Sequence, residues 1–140
     1  MWLFIMLFII QNSKLKMQNF NQKFKTDLRT RCYRFSLKVI AMVDSLPNNR
    51  ISWIISDQLI RSATSIGANL IEARASSSRL EFKRYNETSL KSANETKYWL
   101  ELIKDAELAN QEVINNLLEE VTELANMLAS GIIKLKNLKF

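Results

Sequence analysis

The sequence predicts an all-α protein, an antiparallel up-down four-helix bundle, from three observations. Only two glycines and one proline occur in 140 residues, so the residues that sheet turns and phosphate-cradling loops need are scarce. Apolar residues recur every three or four positions in four long stretches, which is the period of an amphipathic helix. Short turn clusters separate these stretches, and helices joined by short connections pack antiparallel. With 47% hydrophobic content, the chain can form one core, which we assign to residues 26–140.

Residues 1–25 are predicted to be an N-terminal extension outside that core. The first ten residues are all apolar, about half the length of a membrane-spanning helix. A secretory signal has a positive charge before its apolar run and a cleavage site of small residues after it. Neither feature is evident here. We favour an extension outside the folded unit over a membrane anchor, because Met17 would begin a chain of more ordinary amphipathic character. Residues 11–25 are interpreted as a polar linker or a frayed helix start.

The first two predicted helices are separated by Pro47, Asn48 and Asn49, which favour a turn. The first apolar stripe comprises Phe24, Leu28, Cys32, Phe35, Val39, Met42 and Leu46. The second helix is expected to begin at Ser52 as its N-cap and to end at residues 76–78. Its stripe comprises Ile55, Leu59, Ala63, Ile66, Leu70 and Ala73.

Ser78 and Glu81 have the spacing of a capping box, which predicts the start of the third helix. That helix is expected to run to about Leu108, with Phe82, Tyr85, Ser89, Ala93, Thr96, Leu100 and Ile103 on one stripe. After a break at residues 109–111, the fourth helix has the most regular stripe. Its members are Ile114, Leu117, Val121, Leu124, Leu128, Ile132 and Leu135.

The composition disfavours an enzyme. Histidine is absent, which removes the commonest general base and the commonest zinc ligand. The single cysteine, Cys32, lies on an apolar stripe and is interpreted as a core residue. It fits a reducing compartment, so we expect a cytoplasmic protein. The carboxylates lie mainly on polar helix faces at spacings that pair with Lys or Arg. We therefore predict no catalytic residue, metal, cofactor or small-molecule substrate.

Positive charge is concentrated near the start of the chain. Residues 1–50 contain nine Lys or Arg and two acids, whereas residues 51–140 contain eleven and twelve. A local basic surface favours phosphate binding. The candidate nucleic-acid-binding residues are Lys23, Lys25, Arg29, Arg31, Arg34 and Lys38. Of these, Arg29, Arg31 and Arg34 are expected to face solvent. Lys134, Lys136 and Lys139 can join them from the end of the fourth helix. The alternative is a merely solvated helix on an oligomeric scaffold that binds a protein partner.

A polar stripe runs along the second helix and is expected to meet Glu95 of the third. It comprises Gln58, Arg61, Ser65, Asn69 and Glu72, with Ser62 as an alternative to Arg61. Such a stripe is either a solvated face, a buried network that fixes helix register, or a subunit or ligand contact. We expect Ser92, Glu95 and Thr96 to lie opposite Arg61 and Asn69.

These segments carry a family resemblance. Residues 58–73, QLIRSATSIGANLIEA, resemble the Q-x-x-R-A-x-x-S-I-x-x-N-x-x-E-G/A signature of the four helix bundle proteins known as 23S rRNA intervening-sequence proteins. Glu81-Phe82 continues the match, and residues 92–100, SANETKYWL, resemble the A-x-E-T-x-Y-W-L segment of that family. The likeness covers about residues 26–136. This chain departs from the pattern in its apolar first ten residues and in Ala73, where many relatives have glycine.

The resemblance implies a compact bundle that assembles into a ring, as a homopentamer, and that some bacteria encode within insertions in the large-subunit rRNA gene. Related bundles resemble the accessory protein of diversity-generating retroelements, which is thought to engage nucleic acid through a basic surface. From the residues and the resemblance together we expect a non-enzymatic oligomer that contacts RNA or DNA.

Overall fold

The computed structural model describes the backbone of residues 1–23 and 27–138 and the side chains of residues 1–12 and 27–138. Within these ranges the protein is all-helical and has no strand, as predicted. Its five helices are α1 (Trp2–Lys23), α2 (Leu28–Asp44), α3 (Arg50–Arg74), α4 (Arg79–Asp105) and α5 (Gln111–Asn137). The prediction of four helices was one too few, because residues 11–23, expected to form a linker or frayed start, continue α1. No glycine or proline interrupts that segment.

Helices α2 to α5 surround one apolar core. Each packs on the next along the chain, and α5 returns to α2. Side-chain hydrogen bonds give the direction of α3 and α4: the Ser89 hydroxyl donates to the Ile66 carbonyl at 2.7 Å, and the Thr96 hydroxyl donates to the Ser62 hydroxyl at 3.0 Å. As α4 advances, its partners on α3 move backward, so these helices are antiparallel. The largest fully buried side chains include Phe35, Leu59, Ile66, Leu100, Ile103, Ile114 and Leu124.

The predicted apolar stripes are buried along most of their length, with exceptions near helix ends. Phe82 was expected in the core but is 37% exposed. It lies in the first turn of α4, beyond the level at which Ser89 meets α3. Five more predicted stripe residues are only half-buried, namely Leu28, Leu46, Ile55, Tyr85 and Leu135. Phe24 lies outside the described residues.

Polar side chains cap the starts of α2 to α5, where Asp27, Asn49, Ser78 and Asn110 each accept a hydrogen bond from a backbone N–H of the first turn. The Asn49 side chain accepts a hydrogen bond from Ser52 N at 2.9 Å, so Asn49 caps α3 and the prediction of Ser52 as the N-cap was wrong. Ser78 caps α4 as expected, accepting from Glu81 N at 3.1 Å. The Glu81 carboxylate accepts from the backbone and hydroxyl of Ser77, which lowers its pKa.

Helix α4 ends at Asp105, three residues earlier than predicted, because the chain turns through a left-handed residue. Glu107 has φ of 55°. Its N–H donates to the Lys104 carbonyl at 3.0 Å, and Leu108 N–H donates to the Ile103 carbonyl at 3.1 Å. This pattern is a Schellman motif, which satisfies the last carbonyls of a helix.

Candidate nucleic-acid interface and the polar face of α3 and α4

The basic residues of α2 are largely engaged by carboxylates. Arg29 pairs with Asp27 at 2.5 Å, just before its own helix. Arg31 pairs with Glu123 of α5 at 2.6 Å and also contacts the Met127 sulfur. These pairs neutralise part of the positive charge that the sequence suggested for this helix.

Lys38 and Arg34 complete the described part of the predicted surface. Lys38 pairs with Glu120 at 2.6 Å. Arg34 is half-buried, and its Nε has no hydrogen-bond partner among the residues that the structure describes. Arg29 and Arg31 are also half-buried, so the expectation that all three arginines face solvent was wrong. Arg31 lies where α2 meets α5, as its ion pair with Glu123 shows, and the sequence period alone did not reveal this contact. Lys25 and the side chain of Lys23 lie outside the described residues.

A larger basic surface lies at one end of the helical core. As α2 advances from Arg31 to Lys38, its partners on α5 move back from Glu123 to Glu120. Its neighbours on α3 move back in the same way, from Gly67 beside Cys32 to Ala63 beside Ser36. The starts of α2 and α4 therefore lie at the same end as the ends of α3 and α5. The half of the core at this end comprises residues 27–35, 63–91 and 125–138 and contains ten Lys or Arg against four acids, a net +6. The opposite half, residues 36–62 and 92–124, contains five against ten, a net −5. The core is therefore electrically polarised along its axis.

The exposed cations of this basic end come from three helices. They are Arg74 at the end of α3, Arg79, Arg84 and Lys91 of α4, and Lys134 and Lys136 at the end of α5. The hydrogen bond from Arg29 lowers the pKa of Asp27, and the nearby positive charge of Arg74 contributes to that shift. The charge pattern of the sequence pointed to the lysines of α5 but not to Arg74 and Arg84. The predicted antiparallel topology could have found them, since it puts the turn between α3 and α4 at this end.

The predicted polar stripe contains an interhelical ion pair at its centre. Arg61 of α3 pairs with Glu95 of α4 and also donates to the Gln58 side chain at 3.1 Å. The indole N–H of Trp99 donates to the same Glu95 oxygen at 3.2 Å. The expected meeting of Arg61 and Glu95 is confirmed, and four side chains hold each other in one arrangement.

The remaining stripe residues bond within their own helix. The Ser65 hydroxyl donates to the Arg61 carbonyl at 2.6 Å, and the Asn69 amide donates to the Ser65 carbonyl at 2.7 Å. Glu72 is exposed. Among the described residues, no hydrogen bond joins the Asn69 side chain to α4, and its position opposite α4 stays a prediction. It is Ser62, fully buried, that reaches across to Thr96.

Exposed apolar side chains flank the Arg61–Glu95 pair. Ile54 lies seven residues before Arg61, and Leu102 lies seven residues after Glu95, so both share its side of the two antiparallel helices. Tyr98 is 61% exposed and packs edge-to-face on Trp99, with ring centroids 5.0 Å apart. We call the surface formed by Ile54, Gln58, Arg61, Glu95, Tyr98 and Leu102 the α3/α4 face.

Cys32 and the carboxylates do not form a recognisable reactive centre in the described part of the chain. Cys32 is fully buried, and desolvation raises the pKa of its thiol to about 12, so the nucleophilic thiolate is disfavoured. Within residues 1–23 and 27–138, no three His, Cys, Asp or Glu residues are grouped to hold a metal ion. In the same ranges, no helix combines the length and apolar character needed to cross a membrane.

Comparison with known proteins agrees with the motifs of α3 and α4. The family model described as 23S rRNA-intervening sequence protein matches residues 25–130. No curated protein matches this chain. A crystal structure from Bacteroides thetaiotaomicron, of a protein with unknown function from the S23 ribosomal protein family, is 34% identical. It superposes with a TM-score of 0.71 over 76% of this chain and 98% of that one. By its sequence, this chain belongs to the 23S rRNA-intervening sequence protein family.

Proposed function

We propose that α2 to α5 form an antiparallel, up-down four-helix bundle that works without a catalytic site and contacts RNA or DNA through its basic end. The observation that carries this proposal is the separation of charge along the core, +6 against −5. A duplex or single strand presents closely spaced phosphates, which attract the basic end and repel the acidic one. The protein would therefore dock end-on.

The pairing of the α2 cations changes which residues contribute most to this contact. Arg31 and Lys38 already neutralise Glu123 and Glu120, so a phosphate would have to compete with those carboxylates. Arg74, Lys134 and Lys136 are exposed, and among the described side chains none forms a hydrogen bond or salt bridge with them. Arg29 is paired with Asp27 in the same way, so the surface on the first core helix is a secondary part of a contact centred on the end of the bundle. Such phosphate contacts position a protein without selecting a sequence.

The α3/α4 face supports a second part of the proposal, that copies of this chain assemble into a closed ring. A braced ion pair surrounded by exposed Ile54, Tyr98 and Leu102 combines apolar area with fixed polar groups, as oligomer interfaces do. Rotation about an axis parallel to the helices would bring every basic end to the same rim. Several weak phosphate contacts on one rim would then add to a strong one. Five copies is the number that the family resemblance implies.

Two triple variants with equal change of charge test where nucleic acid binds. Arg74→Glu/Lys134→Glu/Lys136→Glu alters the basic end, and Arg50→Glu/Lys97→Glu/Lys104→Glu makes the same change of −6 at the acidic end. Binding of labelled rRNA fragment, duplex DNA and single strands is measured against salt concentration, with assembly followed by light scattering. We expect only the first variant to weaken binding, with a salt slope lower by up to about three.

The outcomes separate the two functions that the structure favours. Equal losses in both variants would show that net charge, and not the basic end, governs binding. An assembled wild-type protein that binds none of the nucleic acids at low salt would overturn the nucleic-acid proposal. It would favour the alternative, an oligomeric scaffold for a protein partner, for which the braced α3/α4 face is the supporting observation.

A further inference from the structure

Helix α1 leaves a complete apolar surface uncovered. Residues 1–10 are all apolar, and their side chains range from 41% exposed at Met6 to 99% at Met1. Ten consecutive residues make nearly three turns of a helix, so their side chains cover all of its sides. Because all ten are apolar, the segment has no polar face to turn toward water. None of these side chains belongs to the core built by α2 to α5. Water is a poor solvent for such a helix, and a second environment must cover it.

The shape of this surface identifies the environment. A groove on a protein covers one side of a helix and leaves the opposite side in water, which suits an amphipathic helix. A helix that is apolar all round is matched by acyl chains, which surround it. Ten residues extend about 15 Å along a helix, about half of the ~30 Å hydrocarbon core of a bilayer. The segment therefore fits within one leaflet.

The charge that follows the apolar segment agrees with a lipid surface. Residues 11–26 contain Lys14, Lys16, Lys23 and Lys25 and no acid. Polybasic segments beside a membrane are attracted to anionic headgroups. A short apolar anchor alone binds weakly, and stable attachment needs a second signal such as a basic cluster. Both signals occur here within the first 25 residues.

We propose that residues 1–10 insert into one leaflet of an anionic phospholipid membrane, and that the net positive charge of the sequence over residues 11–26 strengthens this attachment. The helical core then stays in water beside the membrane surface. This inference is independent of the nucleic-acid contact, since it rests on α1 and not on the basic end of α2 to α5.

The test uses the full chain and two kinds of vesicle. One contains phosphatidylcholine alone, and the other contains phosphatidylcholine and anionic phosphatidylglycerol at a ratio of 7:3. Phe4→Asp/Phe8→Asp puts two charges into the apolar segment, and Ile71→Asp/Ile133→Asp is the matched control at exposed apolar positions of the core. We expect wild type and control to float with the mixed vesicles and the Phe4/Phe8 variant to partition at least about tenfold less. Because α1 lies outside the core, circular dichroism should show the variant folded.

The fluorescence of Trp2 distinguishes insertion into the membrane from adsorption on its surface. Phospholipids brominated in the acyl chain should quench part of the fluorescence of wild type, and Trp2→Phe should abolish that quenching while leaving the other two tryptophans. Vesicle binding without Trp2 quenching would overturn the proposal in favour of adsorption by cationic residues. Equal flotation of the Phe4/Phe8 variant would also overturn it. A change in assembly state of that variant without vesicles would assign the segment to a second copy of the chain instead.

Discussion

Gly67 of α3 lies at a close approach between helices, and its replacement by alanine gives a quantitative test of the packing. A Cβ at this position would lie 3.2 Å from the Cβ of Cys32 and 3.8 Å from its carbonyl carbon. Cys32 is fully buried, so its Cβ cannot move away without moving the α2 backbone. The added methyl group therefore forces α2 and α3 apart by a few tenths of an ångström.

Two opposing effects determine the change in unfolding free energy. Alanine in place of a helical glycine stabilises by about 1 kcal/mol, through the lower entropy of the unfolded chain and better helix propensity. Overpacking in a tight interior costs about 1–3 kcal/mol. For Gly67→Ala the net result is expected to lie between no change and roughly 2 kcal/mol of destabilisation.

Gly131 of α5 supplies the control, because a Cβ built there meets nothing within 4 Å. Gly131→Ala should therefore gain the helix term alone, about 1 kcal/mol. The difference between the two variants cancels that shared gain and isolates the packing cost of about 1–3 kcal/mol. In melting temperature this separation amounts to roughly 4–12 °C for a core of this size.

Thermal and urea unfolding followed by circular dichroism at 222 nm would measure both variants. All samples are compared at one protein concentration, since assembly makes the melting temperature depend on concentration. If Gly67→Ala stabilised the protein as much as Gly131→Ala does, the close approach of α2 and α3 at Cys32 would be refuted.

Three further predictions follow from individual residues. The pKa of Asp27 in the folded protein is lowered from its ordinary value of 3.8. Its carboxylate therefore stabilises the fold fully above pH 3.8, and this stabilisation is lost as the pH falls through the lowered pKa. Asp27→Asn, which keeps an N-cap side chain, should make the free energy of unfolding depend less on pH in this acidic range. The Cys32 thiol, with a pKa raised to about 12, should react with iodoacetamide at pH 8 only after unfolding, and rapid labelling of native protein would show that the core around it opens. Asn69→Leu removes the amide that donates a hydrogen bond to the Ser65 carbonyl on the polar stripe. It should change the assembly state, measured by light scattering, more than it changes the affinity for nucleic acid. An equally stable, fully assembled variant would show that Asn69 does not lie in the interface between copies.

The local signals in this sequence predicted most of the helical core, because helix period and capping are encoded by neighbours along the chain. Ser78 caps α4 as predicted, and the α5 stripe from Ile114 to Ile132 is buried. Ser52 was misassigned because the N-cap is Asn49, three residues earlier, whose side chain accepts a hydrogen bond from the Ser52 N–H. Two residues that both favour N-caps compete at that turn, and the sequence does not rank them.

The candidate site was harder to predict, because charge pairing depends on contacts between distant residues. Arg31 and Lys38 looked free in the sequence, yet each meets an acid of α5 more than eighty residues away. Arg61 and Glu95 were predicted to meet because their helices are consecutive, and adjacent helices are constrained by a short turn. The basic end also arises from topology, since Arg74, Arg84 and Lys136 become neighbours only when four helices pack in alternating directions.

The two proposed surfaces must lie near each other, which leads to a final prediction. Asp27 follows Lys23 by four residues, so their Cα atoms are at most about 15 Å apart, and Asp27 lies at the basic end beside Arg29. A membrane that holds α1 would therefore bring anionic headgroups close to the cations proposed to bind nucleic acid. We expect phosphatidylglycerol vesicles to displace labelled RNA from wild type at lower lipid concentration than from Phe4→Asp/Phe8→Asp. Equal displacement from both would mean that lipid reaches the basic end without α1, and simultaneous binding of RNA and vesicles would mean that the two surfaces are not neighbours.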